Sequence, residues 1–307
     1  MKVLILGDQG FLGKNVSDCL LARNLSIVAG NRSILNAADC SGLSRFLVRE
    51  NPDVIVNCLA HVGSLNYVTE NAADVLIDNL KLITALYEAV VQLPKVKLIN
   101  PIANCAYPAS ANIMKEDELF DSKLHHSVEA YGITRRVLVL LARKMKQKYD
   151  VDSYNLIAPN MYGPYDSLDP NKAHAFNALV SKFITADQKG LNSVDIWGTG
   201  KPIREWLYVK DFPRIICELI DHDFTQMTDC REVNVAQKTG ISISELAEKI
   251  NHKFNSKFNL KYLTEMPDGA PIKVLDDTRF NSLFPEFRFT PMDVGLSETF
   301  HYYQNAS

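Results

Sequence analysis

The sequence predicts an α/β fold: a doubly wound parallel sheet of the Rossmann type, with a smaller mixed α/β C-terminal lobe. Three observations lead there. The first half alternates short, wholly apolar runs with amphipathic segments, the pattern of buried parallel strands covered by helices on both faces. Gly7, Gly10 and Gly13 stand in GDQGFLG, between the first apolar run and the first amphipathic segment, where a strand-to-helix turn cradles a phosphate. The pattern then loosens over 160–205, with Pro164, Pro170, Gly190, Gly198, Gly200 and Pro202. Loops of that composition over a rigid sheet carry ligand contacts.

Each element follows in order. Val3–Leu6 reads as a strand, Phe11–Arg23 as a helix and Leu25–Ala29 as the second strand. Val54–Cys58 and Val96–Ile99 are further strands, separated by a long amphipathic helix over Ala72–Gln92. His126–Lys148 is expected to form one helix, with Ser127 as N-cap and Glu118 and Glu129 near its positive end. Val137, Leu138, Leu140 and Leu141 supply its apolar face, and Val151–Ile157 is the next strand. Farther on, ISISELAEKI is a helix capped by Ser242 or Ser244, and the tail to Ser307 belongs to a mixed lobe. No linker separates the halves, so the lobes interleave. Residues 1–160 with part of 205–240 are expected to form the cofactor domain, and 161–204 with 241–307 the substrate lobe.

The chain has 307 residues, 47% of them hydrophobic, enough for one large α/β domain or two lobes sharing a core. A net charge of -3 gives no sign of nucleic acid or an acidic membrane as partner. No segment has the roughly 18 to 20 apolar residues of a membrane span. MKVLILGDQG runs from a short apolar stretch straight into glycines, unlike a secretory signal. A cytoplasmic location is expected. The cysteines at 19, 40, 58, 105, 217 and 230 show no CxxC spacing, and read as thiols in a reducing compartment. The histidines show neither HxxxH nor HExxH, so no metal site is expected.

In the glycine motif, Gly7 permits the tight turn, Gly10 lets the backbone approach a pyrophosphate, and Gly13 lets the helix pack on the sheet. The anion would sit on free amide N–H groups at a positive helix end. An acidic residue after the second strand would select NAD. The sequence there is AGNRS, with Arg32 and no carboxylate. A 2′-phosphate gains a charge-assisted bond from Arg32, so NADP(H) is the expected cofactor. In EAYGITRRV, Tyr131 precedes Arg135 by one helical turn. A phenol beside a cation is arranged for proton transfer.

These motifs, with the NMYGP loop at 160–164, resemble the extended short-chain dehydrogenase/reductases. Four further stretches narrow the resemblance to the GDP-L-fucose synthases, the GDP-4-keto-6-deoxymannose epimerase/reductases. They are AHVGSLNYVTENAADVLIDN (60–79), NCAYP (104–108), DIWGTGKPIREWLYVKDF (195–212) and PDGAPIKVLD (267–276). The resemblance implies a two-lobe subunit that binds NADP(H) and a GDP-sugar, and a homodimer joined through two helices per subunit. It implies a catalytic Ser, Tyr and Lys, with Cys and His for epimerisation. The tyrosine matches Tyr131, the cysteine Cys105 and the histidine His174. The lysine position holds Arg135 and the serine position Ala103. Cofactor contacts are implied at Gly7, Gly10, Phe11, Leu12, Gly13, Arg32, Asp39, Ala60, Asn79, Arg135, Asn160 and His174. Substrate contacts are implied at Asn104, Lys182, Trp197, Arg204 and Lys273, the cations for phosphates or sugar and Trp197 for an apolar face.

Arg135 keeps a permanent charge on a longer, planar head, so the electrostatic role survives while the ribose geometry changes. Ala103 cannot donate to the substrate oxygen. In a regular strand Asn104 would point to the opposite face, and Cys105, on the same face, is a weak donor. Three functions stay open on these residues. The first is an NADPH-dependent 4-reductase of a GDP-4-keto sugar, with or without C3/C5 epimerisation. The second is a nucleotide-sugar epimerase or dehydratase with little reduction. The third is a non-catalytic NADP(H)-binding subunit.

Overall fold

A computed structural model describes residues 1–30, 40–93, 95–169, 172–227, 231–266 and 268–306. The strands are β1 Lys2–Leu6, β2 Ser26–Gly30, β3 Val54–Asn57, β4 Lys97–Ala103, β5 Ile113–Met114, β6 Asp152–Ala158 and β7 Asn160–Tyr162. They continue with β8 Ser193–Trp197, β9 Ile203–Tyr208, β10 Glu232–Asn234, β11 Gly240–Ser242, β12 Asn259–Leu263 and β13 Ile272–Leu275. The helices are α1 Phe11–Ala22, α2 Cys40–Glu50, α3 Leu65–Glu70, α4 Ala72–Val90 and α5 Glu129–Tyr149. After these come α6 Ala175–Gln188, α7 Asp211–Asp221, α8 Ile243–His252, α9 Thr278–Leu283 and α10 Met292–Ala306.

Val3–Leu6 and Val54–Val56 are 0% exposed, which is why those runs carry no polar alternation: both faces of the sheet are covered. The main sheet runs β10-β6-β4-β3-β1-β2, and every pairing in it is parallel. The order reverses beside β1, and in such sheets ligands bind outside the carboxyl ends of the strands at that reversal. One face packs Leu43, Leu47, Leu86, Tyr87, Leu138 and Val139 from α2, α4 and α5. The other packs Val16, Leu20, Phe212, Ile216 and Phe280 from α1, α7 and α9. Inside the sheet, Asn57 donates to Asn100 (3.2 Å), which donates to Asn155 (3.1 Å) and to the Tyr87 hydroxyl (3.2 Å). This buried amide ladder joins β3, β4 and β6, and each member is satisfied by its neighbour.

The second sheet runs β11-β9-β13-β5, with β7 also paired to β9. A further pair, β8 with β12, lies beside it. Phe176, Phe183, Trp206, Leu246, Ile250 and Tyr303 form its core, drawn from α6, α8 and α10 as well as β9. The chain crosses between the sheets repeatedly: β5 pairs with β13 of the second sheet, and β10 returns to the first.

Several expectations are corrected. The tyrosine helix begins at Glu129, not His126, because His126–Val128 form a 3₁₀ turn. Ser127 is not its cap; its hydroxyl lies 2.8 Å from His125 Nδ1. The buried face of α5 uses Leu138, Val139 and Ala142, while Leu140 is 46% exposed. Ala142 follows Leu138 by four residues and Val139 by three, which sets them along one face, and Leu140 falls off that face. The loose stretch after 160 contains the helix α6, which its scattered Pro and Gly residues flank rather than break. Of the two candidate caps for α8, Ser242 is used, in a capping box with Glu245.

Candidate active site

The cofactor cradle comes first in the chain. Gly7 has φ +82°, and a methyl group on Gly13 would lie 2.1 Å from the Gly7 carbonyl oxygen. Only glycine permits that turn and that approach. Gly10 is the N-cap of helix α1 and supplies no side-chain cap, so the helix's first amide N–H groups are left for an anion. The residues present therefore fit a pyrophosphate. Arg32 and Asp39 lie outside the described residues.

Tyr131 and Arg135 lie on α5. Arg135 is 3% exposed, and its guanidinium carbon sits 4.9 Å from the Tyr131 ring centre. Its Nη2 donates to Asn79 Oδ1 at 2.8 Å. Asn79 is 0% exposed. It donates to the His61 carbonyl (2.8 Å) and accepts from the His61 amide (3.2 Å). The loop after β3, which includes Ala60, is thereby tied to the arginine. The His61 ring is held between Asp78 (2.9 Å) and the Tyr67 hydroxyl (2.8 Å). Burial raises the Tyr131 phenol above its ordinary value, and the Arg135 charge pulls it back.

Strand β4 stops at Ala103, and Asn104–Ala106 form a 3₁₀ turn. Strand alternation therefore does not decide where Asn104 and Cys105 point, contrary to the regular-strand expectation. Helix α5 presses on this turn: a methyl group on Gly132 would lie 2.5 Å from the Cys105 carbonyl oxygen. Burial pushes the Cys105 thiol up to about 11, against the pull of the Lys273 and Arg135 charges. Asn104, Cys105, His125, Val128 and Lys273 line one pocket at this point.

His174 sits at the start of α6. Its amide donates to Asp166 Oδ2 at 2.8 Å, its Nδ1 lies 3.1 Å from both Asp166 oxygens, and its ring is 5.3 Å from Phe11. Burial disfavours the imidazolium, but the Asp166 bond and charge outweigh it and raise the pKa. His174 thus stands beside the cradle helix, whereas Cys105 lies near enough to Tyr131 to act on its charge. Asn160, on β7, donates to the Glu205 carbonyl at 3.4 Å.

The substrate candidates form a second group. Arg204 on β9 and Lys273 on β13 are register partners. Arg204 donates to the Ile203 carbonyl (2.8 Å) and to the Asp268 carbonyl (3.4 Å). Asp268 receives both the amide and the hydroxyl of Thr199 at 2.7 Å. Burial lowers the pKa of both Lys273 and Arg204. Lys182 reaches the Asp195 carbonyl at 3.3 Å, and Trp197 is 41% exposed on β8. The Trp197 indole is therefore not part of the core. Sequence reasoning missed Asp166, Asp268 and His125. The paired histidines before Tyr131 and the acid after the NMYGP loop were the available signals.

A glycine-cradled sheet with a phenol, a thiol and an imidazole at its carboxyl edge, and a cation-lined second lobe, defines a dinucleotide-binding protein that acts on an anionic ligand. Residues 3–236 match the model of the NAD dependent epimerase/dehydratase family, and the chain belongs to that family. It is 28% identical over 309 residues to the GDP-L-fucose synthase of Escherichia coli (strain K12), covering 98% of this chain and 96% of that protein. A crystal structure of a GDP-L-fucose synthetase from Naegleria fowleri bound to NADP superposes with a TM-score of 0.88 at 21% identity, covering 99% of this chain and 94% of the other. A GDP-6-OMe-4-keto-L-xylo-heptose reductase from C. jejuni superposes at 0.89 and 20% identity, covering 100% and 98%. These likenesses establish the fold.

Proposed function

We propose that this protein is an NADPH-dependent 4-reductase of a GDP-4-keto-deoxy sugar or a related nucleotide sugar, epimerising C3 or C5 in the same pocket. The observation that carries the reading is the Arg135 guanidinium over the Tyr131 ring beside Cys105. The relatives that cover nearly the whole chain support the substrate class, being GDP-L-fucose and GDP-L-colitose synthases. In this reading residues 1–160 with part of 205–240 hold the cofactor. Residues 161–204 and 241–307 hold the sugar nucleotide, through Lys182, Trp197, Arg204 and Lys273.

Bound at the cradle, reduced nicotinamide supplies a hydride to the sugar C4. Gly7, Gly10 and Gly13 admit the pyrophosphate, and Phe11, Leu12, Ala60, Asn79, Asn160 and His174 line its course. Tyr131 donates a proton to the C4 oxygen, and Arg135 favours the phenolate left behind. Arg135 also fixes Asn79, and through it the loop at Ala60. A 4-keto group acidifies the C3 and C5 hydrogens. Cys105 and His174 exchange protons there, with Asp166 holding the imidazole. The absent hydroxyl at Ala103 favours, as the second reading, an epimerase with weak reduction.

Helices α4 and α5 pack together and present Ile77, Ile133 and Leu140 outward, 48%, 38% and 46% exposed. A second copy of the chain would cover them in a homodimer, which light scattering would reveal. No helix among the described residues is long and apolar enough to cross a membrane, and we place the enzyme in the cytoplasm. The deciding assay is NADPH oxidation at 340 nm with freshly made GDP-4-keto-6-deoxymannose and a GDP-4-keto-heptose. Turnover lost in Tyr131→Phe supports the reading. NADPH binding with no turnover on either sugar, and no solvent deuterium at C3 or C5, refutes it.

A further inference from the structure

The pocket beyond β4 contains donors and no carboxylate among its described lining residues. Asn104 is 5% exposed, and its Nδ2 has no hydrogen-bond partner. A buried amide donor without a partner is costly, and calls for a ligand or water that supplies an acceptor. His125 faces the same pocket. Its Nδ1 accepts from the Ser127 amide (3.4 Å) and lies 2.8 Å from the Ser127 hydroxyl. An Nδ1 that accepts places the proton of the neutral ring on Nε2. No partner for that Nε2–H is found among the described residues. Burial, then the charges of His126, Lys273 and Arg204, hold the imidazole below its ordinary value. The Lys273 ammonium lines the same pocket and likewise has no hydrogen-bond partner among the described residues. The space left for the centre of a water-sized group is about 10 Å³, room for one such group.

Side chains that carry an amide N–H, an imidazole N–H and an ammonium line this space, and such a set suits an oxygen that only accepts. A sugar hydroxyl needs an acceptor for its own proton; an enolate or alkoxide oxygen does not. We propose that Asn104 and His125 form a two-donor hole for the C4 oxygen of the sugar, in place of the hydroxyl absent at Ala103, with Lys273 supplying the positive field. The assignment rests on the reductase/epimerase reading above. When Cys105 or His174 removes the C3 or C5 proton, the electron pair moves onto the C4 oxygen as an enolate, which the two donors hold. When hydride reaches C4, the same donors hold the oxygen until the Tyr131 proton arrives. Neither donor gives up its proton in either step.

The test compares wild type with Asn104→Ala, Asn104→Asp, His125→Phe and the double variant Ala103→Ser/Asn104→Ala. Two rates are read: NADPH oxidation with GDP-4-keto-6-deoxymannose or a GDP-4-keto-heptose, and solvent deuterium entering C3 or C5 without NADPH. Loss of one such donor slows related chemistry by about 10²–10³-fold. Each single variant is expected to lose at least 10-fold on both rates in kcat, with NADPH binding by fluorescence retained. Asn104→Asp keeps the shape, replaces the donor by an acceptor and is expected to be the slowest. The added serine is expected to recover at least 10-fold of the reductive rate. Asn104→Asp and His125→Phe within twofold of wild type on both rates, or a loss confined to KM, would overturn the assignment alone. A wild type inactive in both assays overturns it together with the function it rests on.

Discussion

Replacing Arg135 by Met removes the charge while keeping an unbranched apolar stem of similar course. The guanidinium carbon lies 4.9 Å from the Tyr131 ring centre. At an effective dielectric of about 20, a unit charge at that distance favours the phenolate by about 3 kcal/mol. If the reduction uses that full difference, kcat falls roughly 100-fold. Because Arg135 pulls the phenol down, its loss raises the phenol further. The alkaline decline of kcat, where Tyr131 loses the proton it must donate, then moves to higher pH. Stability changes much less. The charge-assisted bond to Asn79 is worth about 1.5–3 kcal/mol, but the variant no longer buries a charge, which offsets a comparable amount. Arg135→Lys keeps the charge but cannot both stack on the ring and reach Asn79, so it is expected to fall between the two. The assays are stopped-flow NADPH oxidation across pH and urea unfolding. An Arg135→Met enzyme within threefold of wild type in kcat, with an unmoved alkaline limb, refutes phenol activation by this residue.

Other outcomes follow from the same geometry. Gly13→Ala drives a methyl group to 2.1 Å from the Gly7 carbonyl and is expected to cost about 1–3 kcal/mol. It should also abolish NADPH binding, read as lost fluorescence enhancement. Asn100→Ala strips partners from Asn57 and Asn155 and should lower urea stability by about 2–4 kcal/mol without moving KM. The raised His174 pKa means that its pairing with Asp166 stabilises the fold fully below the ordinary histidine value. That contribution is lost as pH rises through the raised value. Asp166→Asn should erase this dependence in thermal melts and shift the His174 limb of deuterium exchange to lower pH. The Cys217 hydrogen bond, 3.8 Å between sulfurs, helps bring the Cys19 thiol down to about 7. Iodoacetamide at neutral pH should therefore modify Cys19 ahead of Cys58 and Cys105, and more slowly in Cys217→Ala.

The doubly wound sheet and its cofactor edge were legible in the sequence, because both are local. Apolar runs such as Val3–Leu6 must be buried on both faces, and a glycine triplet between strand and helix has one economical use. The pair Tyr131 and Arg135 was legible for the same reason, one helical turn being a fixed distance. What faces Arg135 was not: Asn79 is 56 residues away and meets it only because α4 and α5 pack side by side. The grouping of Asn104, His125 and Lys273 around one pocket was hidden in the same way. Strand alternation does not reach Asn104, because β4 ends at Ala103 and a 3₁₀ turn follows. His125 and Lys273 come from a turn before α5 and from a strand of the second sheet. Periodicity reports which residues share a face of one element. Which elements bring their faces to a common point is decided by packing across the whole chain, and only the tertiary structure contains that.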